Sequence, residues 1–460
     1  MNVLLHCGDC LEVLGTFEPD IFDSCVTDPP YHFTSIVKRF GADDSAPAKD
    51  GKTGAYKRAS AGFMGKQWDG GDIAFRPETW AAVYRVLKPG AHLVAFGAPK
   101  NFHRLACAIE DAGFEIRDTL AWLFGSGFPK SHDVSKAIDR AAGAEREKIR
   151  IDASRLKNPP NLVGGAGKGD DRPWRQNAIA MGFHEVDGDL PSTDAARQWS
   201  GWGTALKPAY EPIILARKPL SEPTIAANVL RWGTGGINVD GCRVPTSDGY
   251  TENCVTQGIN TAQTSSYEPR RECRTFAPAA EGRFPANVVH DGSEEVVGMF
   301  PQSKAAYINQ DSADAKLSER KPTTKRGITS FDDGKPCSSL YVDSGSAARF
   351  FYTAKADSDD RLGSKHPTVK PLDLMQWLVR LVTPKGGRVL DPFAGTGTTG
   401  EAAWREGMRA DVIEREVEYQ ADIRRRIKLC LAGPDERARE SIKARTADKP
   451  IDAGPLFGGT

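Results

Sequence analysis

Asp28, Pro29, Pro30 and Tyr31 bring together residue types that suit one piece of chemistry. They follow Ile21-Phe22-Asp23-Ser24-Cys25-Val26-Thr27, an apolar-biased run that reads as a short buried strand. Neither proline can donate a ladder hydrogen bond, so the strand ends there. Asp28 is left at the carboxyl end of the strand, where open α/β sheets hold ligands. A carboxylate, a carbonyl on a stiff turn and a flat ring suit the capture of a planar group bearing an NH2. Taken alone, the run reads equally well as an Asp-Pro turn after a strand.

A second stretch, Val389-Leu390-Asp391-Pro392-Phe393-Ala394-Gly395-Thr396-Gly397-Thr398-Thr399-Gly400, takes a strand into a glycine-rich turn and then a helix. The glycines let backbone approach a ligand closely, and a helix N-terminus favours negative charge. The spacing is not that of a dehydrogenase fingerprint, and no Lys follows the glycines as a P-loop requires. The next strand, Ala410-Asp411-Val412-Ile413-Glu414, ends in an acid about 20 residues on, a placement suited to two ribose hydroxyls. Together these features ask for an adenosyl ligand without a pyrophosphate.

The elements that must position these groups are legible at both ends of the chain. Val3 to Leu5, Ile21 to Thr27, Ala91 to Gly97 and Phe114 to Phe124 read as strands. Cys10 to Leu14, Pro77 to Leu87 and Phe102 to Ala112 read as helices, with Lys88-Pro89-Gly90 as a stop. Pro212 to Arg217 reads as a strand able to pair with Phe114 to Phe124 as a wide hairpin. Regular alternation returns at Leu372 to Val382 (helix), Arg388 to Pro392 (strand), Thr398 to Glu406 (helix), Ala410 to Glu414 (strand) and Tyr419 to Cys430 (helix). Strands alternating with helices imply a doubly wound sheet. Neither end holds enough strands alone, so the expectation is one sheet built from both. The 460 residues carry 61 basic and 61 acidic side chains, so net charge selects no partner. Nine scattered cysteines suit a reducing, cytoplasmic setting rather than a disulfide scaffold. The sequence shows neither a signal-peptide pattern nor an apolar run long enough to cross a membrane.

The motifs resemble those of the amino-directed DNA methyltransferases that use S-adenosylmethionine, with a D-P-P-Y catalytic motif and a D-P-F-x-G-x-G cofactor motif on one Rossmann-like sheet. The catalytic motif comes first here, an order similar to the permuted β class of that family. Further matches are Gly8-Asp9-Cys10, Phe350-Phe351-Tyr352-Thr353-Ala354-Lys355 and His366-Pro367-Thr368-Val369-Lys370-Pro371. The resemblance implies an α/β fold: a circularly permuted, mostly parallel sheet with an antiparallel hairpin and inserted irregular segments for DNA recognition. It implies a division into residues 1–124 (catalytic half), 125–206 (insertion), 207–220 (hairpin strand), 221–347 (target recognition), 348–432 (cofactor half) and 433–460 (tail). Asp391, Phe393, Gly395 and Gly397 would form the cofactor loop, Glu414 would hold the ribose, Asp9 would approach the adenine, and Thr368 and Lys370 would lie beside the methionine end. Asp28, Pro29, Pro30 and Tyr31 would hold the target base. The implied partners are S-adenosylmethionine and double-stranded DNA; a homodimer and a cognate restriction nuclease are open, and no membrane or metal is called for. The target amine would be that of adenine, with cytosine-N4 as the alternative.

The amine's lone pair is delocalised into the base ring. Accepting both its N–H bonds, at Asp28 and a proline carbonyl, favours a pyramidal nitrogen that can attack a sulfonium methyl. Carbon-directed cytosine methylation would want a Pro-Cys pair on a catalytic loop; Pro336-Cys337, the only such pair, sits in the irregular middle. A catalytically inactive DNA-binding relative is the rival from another class, against which Asp28, Tyr31, Gly395 and Gly397 stand. Cys7 and Cys10 lack the second pair a zinc site needs, and Gly164 to Gly169 reads as a flexible turn. Trp199 and Trp202 with Lys207-Pro208-Ala209-Tyr210-Glu211-Pro212 read either as lining of the base pocket or as packing at the hairpin mouth. Arg283 to Asn287 is either a base-reading element or a turn into a strand. Arg270, Arg271, Arg274, Lys316, Arg320, Lys321, Lys325 and Arg326 are candidate phosphate contacts or a solvated surface.

Overall fold

The computed structural model describes residues 2–31, 72–127, 131–152, 180–245, 282–303, 345–354, 358–362 and 368–432, with 177, 178, 364, 366 and four positions beyond 432. The glycine run at 164–169, Pro336-Cys337 and the basic clusters at 270–274 and 316–326 lie outside them.

Thirteen strands are present among the described residues: β1 (Val3–Cys7), β2 (Phe22–Thr27), β3 (Leu87–Phe96), β4 (Glu115–Leu123), β5 (Lys148–Asp152), β6 (Phe183–Asp187), β7 (Tyr210–Arg217), β8 (Val288–His290), β9 (Gln302–Ser303), β10 (Gly345–Ser346), β11 (Tyr352–Thr353), β12 (Arg388–Asp391) and β13 (Arg409–Glu414). Nine of them form one sheet in the order β1-β13-β12-β2-β3-β7-β4-β8-β11. β12, from the far end of the chain, sits between β13 and β2, and β1 closes on β13 in parallel. The two ends thus interleave in a single sheet. β7 pairs antiparallel with both β3 and β4, and every other pair in this sheet is parallel.

The sheet is covered on both faces, which is why its central strands β2 and β3 are buried along almost their whole length rather than on alternate residues. Val26, Val94, Ile213 and Leu120 pack on one side with the helix Leu372–Val382 and with Ala402 and Ala403 of the helix Thr398–Arg405. Cys25, Leu93 and Ile214 pack on the other with the helices Cys10–Thr16, Pro77–Val86 and Phe102–Asp111. Cys10 is a buried member of this second core.

Two features depart from the sequence reading. Lys88-Pro89-Gly90 does not stop a helix before the strand; it lies inside β3. The pairing skips from Phe22↔Leu87 to Ser24↔His92, so the proline falls in an irregularity of the ladder, a place that tolerates its missing donor. The stretch from Ser221 to Ala348, polar in composition, contributes the helix Ile225–Trp232 and the strand β8, whose three residues are too few to show a period. Arg283 to Asn287 runs into β8, with Arg283 bridged to Val244.

The topology sets one edge apart. The carboxyl ends of β1, β13, β12, β2 and β3 lie together, and because β7 runs the other way its amino end, Tyr210-Glu211, joins them.

Candidate active site

Thr27 is the last residue of β2, and its hydroxyl donates to Asp391 Oδ1 at 2.7 Å. This buried bond joins the end of one motif to the start of the other, 364 positions apart. Asp28 is the next residue. Its Oδ2 lies 3.2 Å from Lys370 Nζ, while its Oδ1 is buried with no hydrogen-bond partner among the described residues. A buried acceptor left unsatisfied costs about 1–3 kcal/mol, so it marks a place where a donor belongs.

Lys370 does more than touch Asp28. Its ammonium also contacts Glu211 Oε2 at 2.8 Å and the Tyr31 hydroxyl at 2.9 Å, and it lies over the Phe96 ring. Burial alone would push this ammonium down; Asp28 and Glu211 outweigh it and hold it above the ordinary lysine value. Tyr31 donates to Glu211 Oε2 at 3.3 Å, and its carbonyl accepts from Asn101 Nδ2. Burial first, then Asp28 and Glu211, raise its phenol well above the usual range, so it stays a neutral donor. Pro29 is buried and Pro30 half-buried beside these groups.

The glycine turn lies against this cluster. Asp391 accepts from the Phe393 N–H at 3.1 Å as well as from Thr27, and burial pushes its carboxyl up to about 6. Gly395 and Gly397 adopt left-handed φ of 53° and 77°, which side-chain-bearing residues rarely adopt. A Cβ at Gly397 would also meet Ile423 at 3.0 Å. The carbonyl of Thr396, between them, is clamped by Arg426 Nε at 2.9 Å, and Arg426 is itself paired with Glu401 at 2.6 Å in the core. Glu414 faces the turn: its Oε2 accepts from the Gly395 N–H and its Oε1 from the Glu416 N–H, both at 2.8 Å. Burial pushes its carboxyl up to about 7. Phe393 presents its ring near Trp80, with centroids 6.4 Å apart. Asp9 caps the helix Cys10–Thr16 through the Leu11 N–H at 2.9 Å.

The structure therefore brings Asp28, Pro29, Tyr31, Lys370, Asp391, Phe393, Gly395, Gly397 and Glu414 to one edge. Thr368 is exposed and touches the site only through its backbone, which meets His366 Nδ1 at 2.9 Å. Lys370, expected beside the methionine end of a cofactor, has its ammonium on Asp28 and Glu211. Trp199 and Trp202 pack edge to face on each other at 5.0 Å and stay exposed. Among the described residues no cluster of three or more His, Cys, Asp or Glu is placed to hold a metal, and no helix is long and apolar enough to cross a membrane.

Residues 259–425 match the N6/N4 family model described as DNA methylase. Over that stretch the chain is similar to the amino-directed DNA methyltransferases. Among curated members, the Type II methyltransferase M2.DpnII of Streptococcus pneumoniae is 41% identical over 69 residues, 15% of this chain and 26% of its own length. The Type II methyltransferase M.HindIII of Haemophilus influenzae is 27% identical over 197 residues, 41% of this chain and 47% of its own. The chain thus spans about a quarter to a half of the length of these family members. A solved structure titled as the M1.HpyAVI-SAM complex aligns over 93% of this chain and all of its own, at 13% identity and a TM-score of 0.34.

Glu211 is the site residue that the motifs of the family do not point to. Its signal was the run Lys207 to Pro212 leading into the one strand that reverses; a reversed strand delivers its first residues to the edge where parallel neighbours end.

Proposed function

We propose that this protein is an S-adenosylmethionine-dependent DNA methyltransferase that acts on an exocyclic amino group, that of adenine. The observation that carries the reading is the buried Oδ1 of Asp28, without a hydrogen-bond partner among the described residues, at the carboxyl end of β2 and tied through Thr27 to the glycine turn. An amino group supplies the donor that this oxygen lacks. Asp28 as the acid of the D-P-P-Y motif favours adenine, because members acting on the cytosine amine often carry Ser there.

The residues fit an adenosyl sulfonium ligand. The left-handed glycines leave the turn free of side chains, Glu414 keeps lone pairs for two hydroxyl donors beyond its two backbone N–H partners, and the carboxylates of Asp28 and Asp391 suit a nearby cation. When bound, S-adenosylmethionine supplies an electrophilic methyl group. Glu414, Gly395 and Gly397 hold the adenosyl portion, and Asp9 approaches its adenine ring. Asp28 Oδ1 and a carbonyl of the Pro29-Pro30 pair accept the two amino N–H bonds and bias the nitrogen toward a pyramidal, nucleophilic form. Tyr31 offers its ring to the base, which has to leave the duplex at a cost of a few kcal/mol. Much of the acceleration comes from position and excluded water.

In this reading residues 1–124, 207–220 and 348–432 form the catalytic and cofactor halves, 221–347 reads the target, 125–206 is an insertion and 433–460 a tail. The protein acts on double-stranded DNA in the cytoplasm; a homodimer and a cognate restriction nuclease are its proposed partners. Expression of the chain in a methylation-free bacterial host, followed by single-molecule sequencing of the genome, tests the reading. Methylated adenine at a fixed sequence is the expected result. Methyl groups on cytosine N4 would overturn the base assignment, and an unmodified genome the function.

A further inference from the structure

The cluster at Asp28 holds more charge than the capture of an amine needs. Lys370 is bonded to one carboxylate that the proposed function uses and to another that it does not. An ammonium bound to a carboxylate ordinarily weakens that carboxylate as an acceptor for anything else. Here Glu211 lies closer to Lys370 Nζ, at 2.8 Å, than Asp28 does, at 3.2 Å. Two carboxylates share one ammonium, so one negative charge remains. The groups facing this cluster are the Tyr31 hydroxyl, which bonds Glu211 and Lys370 and also meets the Asp28 side chain, and Asp391, which stands behind Thr27 and is partnered by Thr27, Thr399 and the Phe393 N–H. Phe96 floors the lysine.

We infer that Glu211 is a positioning residue of this site: it matches the charge of Lys370, so that Lys370 can fix Asp28 through Oδ2 without quenching the acceptor at Oδ1. The inference rests on the proposed function for what Asp28 accepts, but the pairing itself belongs to the ligand-free protein. The antiparallel course of β7 is what brings Glu211 to the edge. The pairing also gives Tyr31 a second task, since the phenol bridges acid and lysine and holds the pair in register.

Three full-length variants test this: Glu211→Gln, Lys370→Met and the double variant. The first readout needs no ligand. In 15N-lysine-labelled protein, the ammonium signal that is missing from Lys370→Met belongs to Lys370. Its titration midpoint should fall by about one pH unit or more in Glu211→Gln, because one of its two carboxylates is gone. The second readout is methyl transfer. Glu211→Gln should lower kcat about tenfold or more while KM for DNA and for S-adenosylmethionine moves less than about threefold. Adding Lys370→Met should restore most of that loss, because no ammonium is left to quench Asp28. Should Glu211→Gln not fold, the comparison of Lys370→Met with the double variant decides: Glu211→Gln should then change kcat by less than about threefold. An unmoved Lys370 titration, or a double variant slower than Glu211→Gln, overturns the inference. A wild-type protein that transfers no methyl group refutes the proposed function instead, and the lysine titration still decides the pairing.

Discussion

Glu414→Gln should change how stability depends on pH. The Glu414 carboxylate closes β13, buried, with the N–H groups of Gly395 and Glu416 on its two oxygens. Burial dominates over those two donors and lifts it from an ordinary 4.5 to about 7. Between these values the native protein keeps a proton that the unfolded chain has released. Stability therefore falls as pH rises through this window, and is flat above it. A shift of about 2.5 units at about 1.4 kcal/mol per unit comes to about 3 kcal/mol. Glutamine has no proton to lose. It also offers one acceptor to two N–H groups, which costs about 1–3 kcal/mol at any pH. The variant should thus be the less stable protein at pH 5, and the gap should close by about 3 kcal/mol by pH 8. Urea unfolding at half-unit steps from pH 5 to 8 measures it. Parallel curves for the two proteins would refute the burial argument. If Glu414 receives ribose hydroxyls, calorimetry should also find that wild-type affinity for S-adenosylmethionine strengthens with pH up to about 7 and that the variant's does not.

Asp28→Ala should lower methyl transfer about a hundredfold or more while S-adenosylmethionine affinity, read by calorimetry, changes less than about threefold; retained turnover would remove Asp28 from the chemistry. Thr27→Val keeps the shape of the side chain and deletes the bond to Asp391, so denaturant unfolding should show a loss of about 1–2 kcal/mol; an unchanged midpoint would mean that the link between the two motifs is not stabilising. Arg426→Met leaves the buried Glu401 with Arg405 as its remaining guanidinium partner and frees the Thr396 carbonyl, so stability should fall by about 1–3 kcal/mol; a neutral result would show that this ion pair is dispensable.

The sequence made the strand ends legible because their chemistry is local. Proline stops at Asp28, glycines at Gly395 and Gly397 and an acid at Glu414 each declare themselves within a few residues. The hairpin of β4 and β7 was legible as two strand-like runs, Phe114 to Phe124 and Pro212 to Arg217. What the sequence could not show is which strand ends become neighbours. Lys370 and Glu211 are 159 positions apart, and their bond exists only because β7 runs against its neighbours. Asp391 likewise reads as part of a ligand loop, yet it also accepts from the hydroxyl of Thr27, from the other end of the chain. β8 and β11, of three and two residues, escaped because strands that short carry no pattern; β8 covers the edge of β4 and β11 in turn covers that of β8.

The interleaving of β12 between β13 and β2 also bears on how the chain acquires its structure during synthesis. While the ribosome is still making the middle of the protein, β2 has no partner on one side, and its unpaired edge and apolar face are open to other chains. Contacts that close loops of this length form slowly. The two halves of the site join only once the strand at Arg388–Asp391 has emerged. A truncated product ending before it lacks the glycine turn and the partner of Thr27, so an interrupted chain should be both inactive and dependent on chaperones.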